Sequence, residues 1–310
     1  MNAIHPAADT LTIVAPLGIR FRDESTGEFI TEGLNVAVYK PERPATRTQA
    51  VANPSGIYVV HHAPGLLEVE HGRGDARFWD EVPRQRFVVA VTDAASRFQP
   101  FQIDVQLPER GVLNWLDSFP TSLPEPTPSL PLYSSAIRRV PPGMAVLRAD
   151  LWDATNDRPA AWSVIEAYID SQLVGRSIAD DGGRIALIFP QPSPRPFTAF
   201  SPSASGSPTA STGPPLMEQT WSIELRALYG PVSSPPSLPG ELLPEKQLPD
   251  LRVLLSQPEA TLWADSERTA PLHAVTLSYG RELILKSTPS LSLSRARQSV
   301  LFITPAVSPP

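Results

Sequence analysis

Proline constrains this chain more than any other residue: 37 of its 310 positions are proline, crowded between Pro120 and Pro142 and again between Pro190 and Pro249. Each proline fixes φ and removes a backbone donor, so these stretches are not helix interiors or central strands. They read as connectors. The first, Phe119-Pro-Thr-Ser-Leu-Pro-Glu-Pro-Thr-Pro-Ser-Leu-Pro131, alternates proline with small residues and predicts a semi-extended linker over 119–142. The second passes through Ser201-Pro-Ser-Ala-Ser-Gly-Ser-Pro208, too low in complexity to pack by itself. It predicts an insertion over 191–216, because the strand-like run Thr220 to Tyr229 resumes behind it.

Between the connectors the apolar period is two. Ile19/Phe21, Leu34/Val36/Val38, Ile57/Val59, Phe87/Val89/Val91 and Phe101/Ile103/Val105 each place apolar side chains on one face of a strand, bounded by Gly, Pro, Asp or Asn. Val146 to Trp152, Trp162 to Ile169, Leu173 to Ile178 and Ile185 to Phe189 repeat the scheme. A late group, Leu251 to Leu255, Ala274 to Tyr279, Glu282 to Lys286 and Ser299 to Thr304, reads as further strands. Short helical turns are predicted at Asp75–Glu81 and Gly111–Ser118 alone. The fold class is all-β.

The two halves share a layout. Phe21-Arg-Asp23-Glu-Ser-Thr26-Gly27, then Leu34 to Tyr39, then Ser55-Gly56 to Pro64 are echoed by Leu151-Trp-Asp153, Trp162 to Tyr168, and Gly182-Gly183 to Pro190. The spacings nearly match, 16 positions from Asp23 to Tyr39 against 15 from Asp153 to Tyr168. A sandwich module used twice accounts for this.

A strand ending in Asp23-x-x-Thr26-Gly27, then Gly33-x-x-Val36-x-Val38-Tyr39, then Asn53-x-Ser55-Gly56-x-Tyr58-x-Val60 with Pro64-Gly65, resembles the transthyretin-like, carboxypeptidase-regulatory-like modules over residues 17–108. The second copy departs from it, with Asn156-Asp-Arg158 in place of Thr-Gly and Asp180-Asp-Gly-Gly183 in place of Asn-x-Ser-Gly. The resemblance implies two transthyretin-like β-sandwich domains joined by a Pro-rich linker, and a scaffold or binding platform rather than an enzyme. The boundaries it suggests are an N-terminal arm 1–16, a first sandwich 17–118, the linker 119–142, a second sandwich 143–304 containing the insertion, and a tail 305–310. Phe87-Val-Val-Ala-Val-Thr-Asp93, Arg158-Pro-Ala-Ala-Trp162, Ala179 to Pro190, Tyr279 to Lys286 and Ser299 to Ile303 together resemble a component of contractile, phage-tail-like injection systems. That resemblance implies a structural subunit whose partners are itself or other subunits of an assembly such as a released or virion-like particle.

A net charge of -6, with no stripe of Lys and Arg, argues against nucleic acid. No apolar run approaches the ~20 residues of a membrane span. The N-terminus has neither a basic nor an apolar leader segment, so cytoplasmic synthesis without a signal peptide is expected. The absence of cysteine excludes disulfides and thiolate metal sites.

Chemical candidates are few. His61, His62, Glu68, Glu70 and His71 are residue types that hold zinc, but alternation along a strand sends adjacent His61 and His62 to opposite faces. Asp180-Asp181-Gly182-Gly183 lacks the further carboxylates of a calcium loop and reads as a tight turn. Arg73-Gly74-Asp75 is an adhesion-type tripeptide that arises by chance. Lys40, at a strand end beside Pro41, is poorly placed for an isopeptide bond. Trp162 and Trp221 sit on alternating strands as core, and Trp79 is the better contact residue, ahead of Trp115, Trp152 and Trp263. The expectation is therefore no catalytic, cofactor or metal residue and a non-enzymatic protein; the alternative is a carbohydrate-binding or adhesive module.

Overall fold

The computed structural model describes residues 13–72, 75–114, 128–194, 214–230, 248–287 and 300–305. The linker as far as 127, the centre of the insertion, the tail beyond 305, the first twelve residues, Trp115 and the Arg73-Gly74 part of the tripeptide lie outside this set. Elements are predominantly strands, in agreement with the period-two reading.

In the first half, β1 (Leu17–Asp23) pairs antiparallel with β2 (Phe29–Ile30) and with β6 (Ile57–Val60), and β6 carries β5 (Val51–Ala52). A second sheet runs β4 (Thr48–Gln49), β3 (Leu34–Tyr39), β7 (Gln85–Asp93), β8 (Phe101–Leu107). Phe21, Val36, Val38, Val60, Phe87, Val89, Phe101 and Ile103 meet in one core. Alternation along each strand points one row of side chains inward. The β6–β7 connection closes one side with α1 (Leu67–Glu70) and α2 (Ala76–Glu81). The second of these is the helical turn predicted at Asp75, whose side chain accepts the Phe78 amide at 2.8 Å as an N-cap.

The other half contains β10 (Met144–Asp153), β11 (Arg158–Pro159), β12 (Val164–Ile169), β13 (Gln172–Ile178), β14 (Arg184–Pro190), β15 (Thr220–Leu228), β16 (Glu259–Trp263), β17 (Ala274–Ser278), β18 (Leu283–Ile284) and β19 (Val300–Pro305). These join into one ten-stranded sheet, because β16 bonds to β15 at one end and to β19 along its length. Leu147, Leu151, Ile165, Ile185, Leu187, Ile223, Leu262, Leu301 and Ile303 form its core.

Strand pairing repeats between the halves residue for residue. Leu17 faces Val60 and Arg20 faces Ile57; Leu147 faces Leu187 and Asp150 faces Arg184. Tyr39 faces Val88, which faces Asp104; Tyr168 faces Glu224, which faces Ala274. The turns repeat too. The Asn53 side chain accepts the amides of Ser55 and Ile57, both at 3.0 Å, before Gly56 at φ 71°. Asp180 accepts those of Gly182 and Arg184, both at 2.9 Å, before Gly183 at φ 76°. The Asp-Asp-Gly-Gly sequence that departs from the first copy thus performs the same Asx turn with another acceptor.

Two stretches differ from expectation. Leu130–Leu132, inside the stretch read as linker, is strand β9, parallel to β1 with Asp23 opposite Leu132. Its counterpart is β19, parallel to β10 with Asp153 opposite Ile303. Proline is tolerated because β9 lies at an edge, bonded among the described residues to β1 alone. Leu251–Leu255, read as a strand, is helix α3. Asp250 accepts the amides of Arg252 and Val253, and Leu251, Leu254 and Leu255 fall on one buried face at helical spacing. Of the turn predicted at Gly111–Ser118, Val112 instead bridges in parallel to Gly18.

Candidate functional site: the junction between the halves

The strongest concentration of buried polar chemistry lies where the halves meet. α3 is supplied by the second half, yet its three buried leucines belong to the core of the first, together with Val164 and Ile178. Each leucine so buried contributes about 1.5–3 kcal/mol. The Gln102 amide donates to the Pro249 carbonyl at 2.9 Å, and the Gln99 side chain reaches the Ile178 carbonyl at 3.4 Å.

Beside this apolar contact runs an ion cluster. Arg22 pairs with Glu24 at 3.2 Å, and Arg176 pairs with Glu166 at 2.6 Å, all four side chains being less than a tenth exposed. Tyr168 donates its hydroxyl to Glu166 at 2.7 Å. Burial pushes the Glu24 carboxyl above the usual carboxylate range, against the opposing pull of Arg22 and Arg176. Burial also disfavours the charge on Arg176, but Tyr133 and Glu166 together hold its pKa above the ordinary arginine value. Burial raises the Tyr133 phenol as well. Arg22, Glu24 and Tyr133 come from the first half and Glu166, Arg176 and Tyr168 from the second; each ion pair lies within one half, and the halves meet electrostatically where Arg176 stands near Glu24 and Tyr133.

The paired turns at the ends of β1 and β10 carry different locks. Asp23 accepts the Ser25 amide at 2.9 Å and a bidentate bond from Arg138, whose guanidinium stacks 4.8 Å from the Phe98 ring centroid. Asp153 accepts the Thr155 amide at 2.9 Å, the Asn156 side chain at 2.7 Å and the Tyr229 hydroxyl at 2.8 Å. Although burial opposes it, these bonds keep the Asp153 carboxyl below its ordinary range. Burial and the adjacent Asp153 push Tyr229 up to about 12.

Trp162 is not on a strand. It occupies the left-handed region at φ 64°, held by a bond from the Gln257 side chain to its carbonyl at 2.8 Å, and its ring packs against the first-half core. A bulky residue there costs about 1–3 kcal/mol in backbone strain. The matching position in the first half is Gly33, at φ 84°. No sequence pattern signals this role, because the glycine that would mark the turn has been replaced. Trp221 lies on β15 against the second core as expected, 6.1 Å from the Tyr279 ring. Trp152 and Trp263 donate to Asp157 and Thr304. Trp79 is half-buried edge-on to Phe78.

The remaining candidates are dispersed. Lys40 donates to Gln85 at 2.6 Å and lines a cleft of about 400 Å³ with Tyr39, Arg43 and Phe87. A second cleft, about 550 Å³, opens where β16 parts from β17, between Tyr168, Arg226, Glu259 and His273. Among the described residues no three His, Asp or Glu side chains stand in metal-binding geometry, and no helix is long and apolar enough to cross a membrane.

No protein-family model matches the chain, and no curated protein matches it. Among solved structures, the Bacillus anthracis TIE protein aligns over 71% of this chain at 10% identity, with a TM-score of 0.21. The chain spans 29% of that protein's length. A likeness so slight bears on neither fold nor function.

Proposed function

We propose that this chain is a non-enzymatic structural subunit, built of two transthyretin-like sandwiches in series, that works through protein–protein contacts in a contractile, phage-tail-like injection assembly. The observation that carries the reading is the junction. Two modules that bind ligands independently need only a flexible tether, whereas α3, the buried Arg176 set near Glu24 and Tyr133, and the strained Trp162 tie these halves together at considerable cost. A building block that transmits force or fixes spacing requires such a brace. The repeated pairing register supports the duplication, and the sequence resemblance supplies the kind of assembly. Exposed apolar side chains at Val51, Ile137 and Met217 offer contact surface.

Purification of the tagged chain from its native cell, followed by mass measurement, tests this. Recovery in a multi-subunit particle is expected, and deletion of 191–215 is expected to impair incorporation while leaving the sheets folded. A monomer that co-purifies with nothing and binds glycans on an array would replace this reading with the carbohydrate-binding one.

A further inference from the structure

The cleft at the end of β3 gathers positive charge that no described carboxylate neutralises. Lys40 donates to the Gln85 side-chain oxygen at 2.6 Å, and its ammonium stands 5.5 Å from the Phe87 ring centroid. A lysine ammonium has three donors, and the partner it has here is a neutral amide. Two linked turns follow: the Arg43 amide donates to the Lys40 carbonyl at 2.9 Å, and the Thr46 amide to the Arg43 carbonyl at 3.0 Å. They bring Arg43 to the same cleft of about 400 Å³, whose apolar walls are Tyr39, Phe87 and Pro64. Among the described residues neither Lys40 nor Arg43 forms an ion pair; Glu42 lines the cleft as well but pairs with neither. Gly65 makes room for the ammonium: its φ is 88°, and a Cβ there would stand 2.8 Å from Lys40 Nζ. With the Arg47 guanidinium 5.0 Å from the Tyr39 ring centroid, a chain of net charge -6 sets Lys40, Arg43 and Arg47 against Glu42 alone.

We propose that this cleft binds a small organic anion, a carboxylate carried on a flat ring. Its volume falls within the roughly 300–1,000 Å³ of small-molecule sites. The carboxylate accepts charge-assisted hydrogen bonds from the remaining donors of Lys40 and from the Arg43 guanidinium. The ring lies against Tyr39, Phe87 and Pro64, where its apolar faces leave water. These walls disfavour inorganic phosphate, which would surrender hydration to them and gain only the two cations. An acidic side chain without a ring would satisfy the cations and leave the walls uncovered. The cleft adds a ligand to a chain proposed above as a structural subunit, and either reading can fail without the other.

Benzoate titrated into the full chain, followed by saturation-transfer NMR of the ligand and by the backbone amide shifts of the protein, tests the proposal. A Kd of about 0.1–1 mM is expected for so small a ligand. Shifts should centre on Gly65 and Thr46, and binding should weaken as salt is raised. Lys40→Met keeps the stem beside Phe87 without its charge and should weaken binding about tenfold. Arg43→Gln, an exposed change that leaves the fold intact, should weaken it roughly threefold or more. Benzyl alcohol, the same ring without the charge, should bind about tenfold more weakly than benzoate. No response to benzoate at about 10 mM, or binding unchanged in both Lys40→Met and Arg43→Gln, overturns the proposal. Inorganic phosphate, or the acidic side chain of N-acetyl-aspartate amide, binding as tightly as benzoate overturns it too.

Discussion

Replacing Arg176 with methionine isolates the junction's electrostatics. Methionine keeps much of the arginine stem's volume but leaves Glu166, 4% exposed, without its cation and the Tyr133 hydroxyl without its charged neighbour. Breaking a buried pair from one side costs about 3–5 kcal/mol, because the surviving charge stays desolvated. For a body of this size each kcal/mol lowers Tm by about 2–4 °C, so a fall near 10 °C is expected. Arg77→Met breaks the exposed Arg77–Glu81 pair and should cost less than about 1 kcal/mol. Calorimetry supplies a second readout: the docked halves should melt together in the parent and separate into two transitions in Arg176→Met. Adding Glu166→Leu should recover much of the loss, since the orphan charge goes with it. A loss for Arg176→Met no larger than for Arg77→Met would refute the claim that this cluster is desolvated, and a single unchanged transition would refute the claim that Arg176 helps hold the halves together.

Leu254→Ala should destabilise the first-half core by about 2–5 kcal/mol in urea unfolding, although Leu254 belongs to a distant part of the chain. Gly183→Ala places Cβ 2.4 Å from the Leu151 carbonyl oxygen at φ 76° and should cost about 3 kcal/mol or more. At Gly56 the clash is with the movable Thr31 methyl, so Gly56→Ala should cost less; equal losses in thermal melts would contradict this. Glu24 and Asp153 should respond to acid in opposite senses. The raised Glu24 pKa means that its contribution is present below the ordinary carboxylate range and lost as pH rises through the folded value. The lowered Asp153 pKa gives a contribution present above that range and lost as pH falls through the folded value. Urea midpoints across the acid range should therefore show Glu24→Gln removing a slope of one sign and Asp153→Asn a slope of the other.

Much of the fold is legible wherever a strand has one wet and one dry face. Phe87, Val89 and Val91 announce β7 because alternation is imposed by burial on one side. The Asp23 and Asp153 turns are legible because short acceptors at fixed offsets satisfy local amides. β9 was hidden by Pro131, which is harmless at an edge and looks prohibitive in a composition count. α3 was hidden because five residues rich in leucine suit a strand as well as a helix; only Asp250 as N-cap distinguishes them. The junction left no local signature. Arg22, Glu24, Glu166 and Arg176 are ordinary exposed-type residues in sequence, and their meaning depends on distant segments coming together to place Arg176 near Glu24. His61 and His62 lie past the end of β6, so alternation along a strand does not govern where their side chains point.

The identity of the two pairing registers creates a hazard during folding. β9 and β19 both add in parallel beside an aspartate turn, so each could dock on the wrong half and trap the chain in a crossed topology. Arg138 follows β9 and fits the Asp23 turn as a bidentate cation; the Asp153 turn instead accepts the Tyr229 hydroxyl and the Asn156 amide, with Arg158 standing 4.0 Å away. The divergence of these two locks labels each half chemically, so that two halves of like strand pairing fold along one connectivity instead of two.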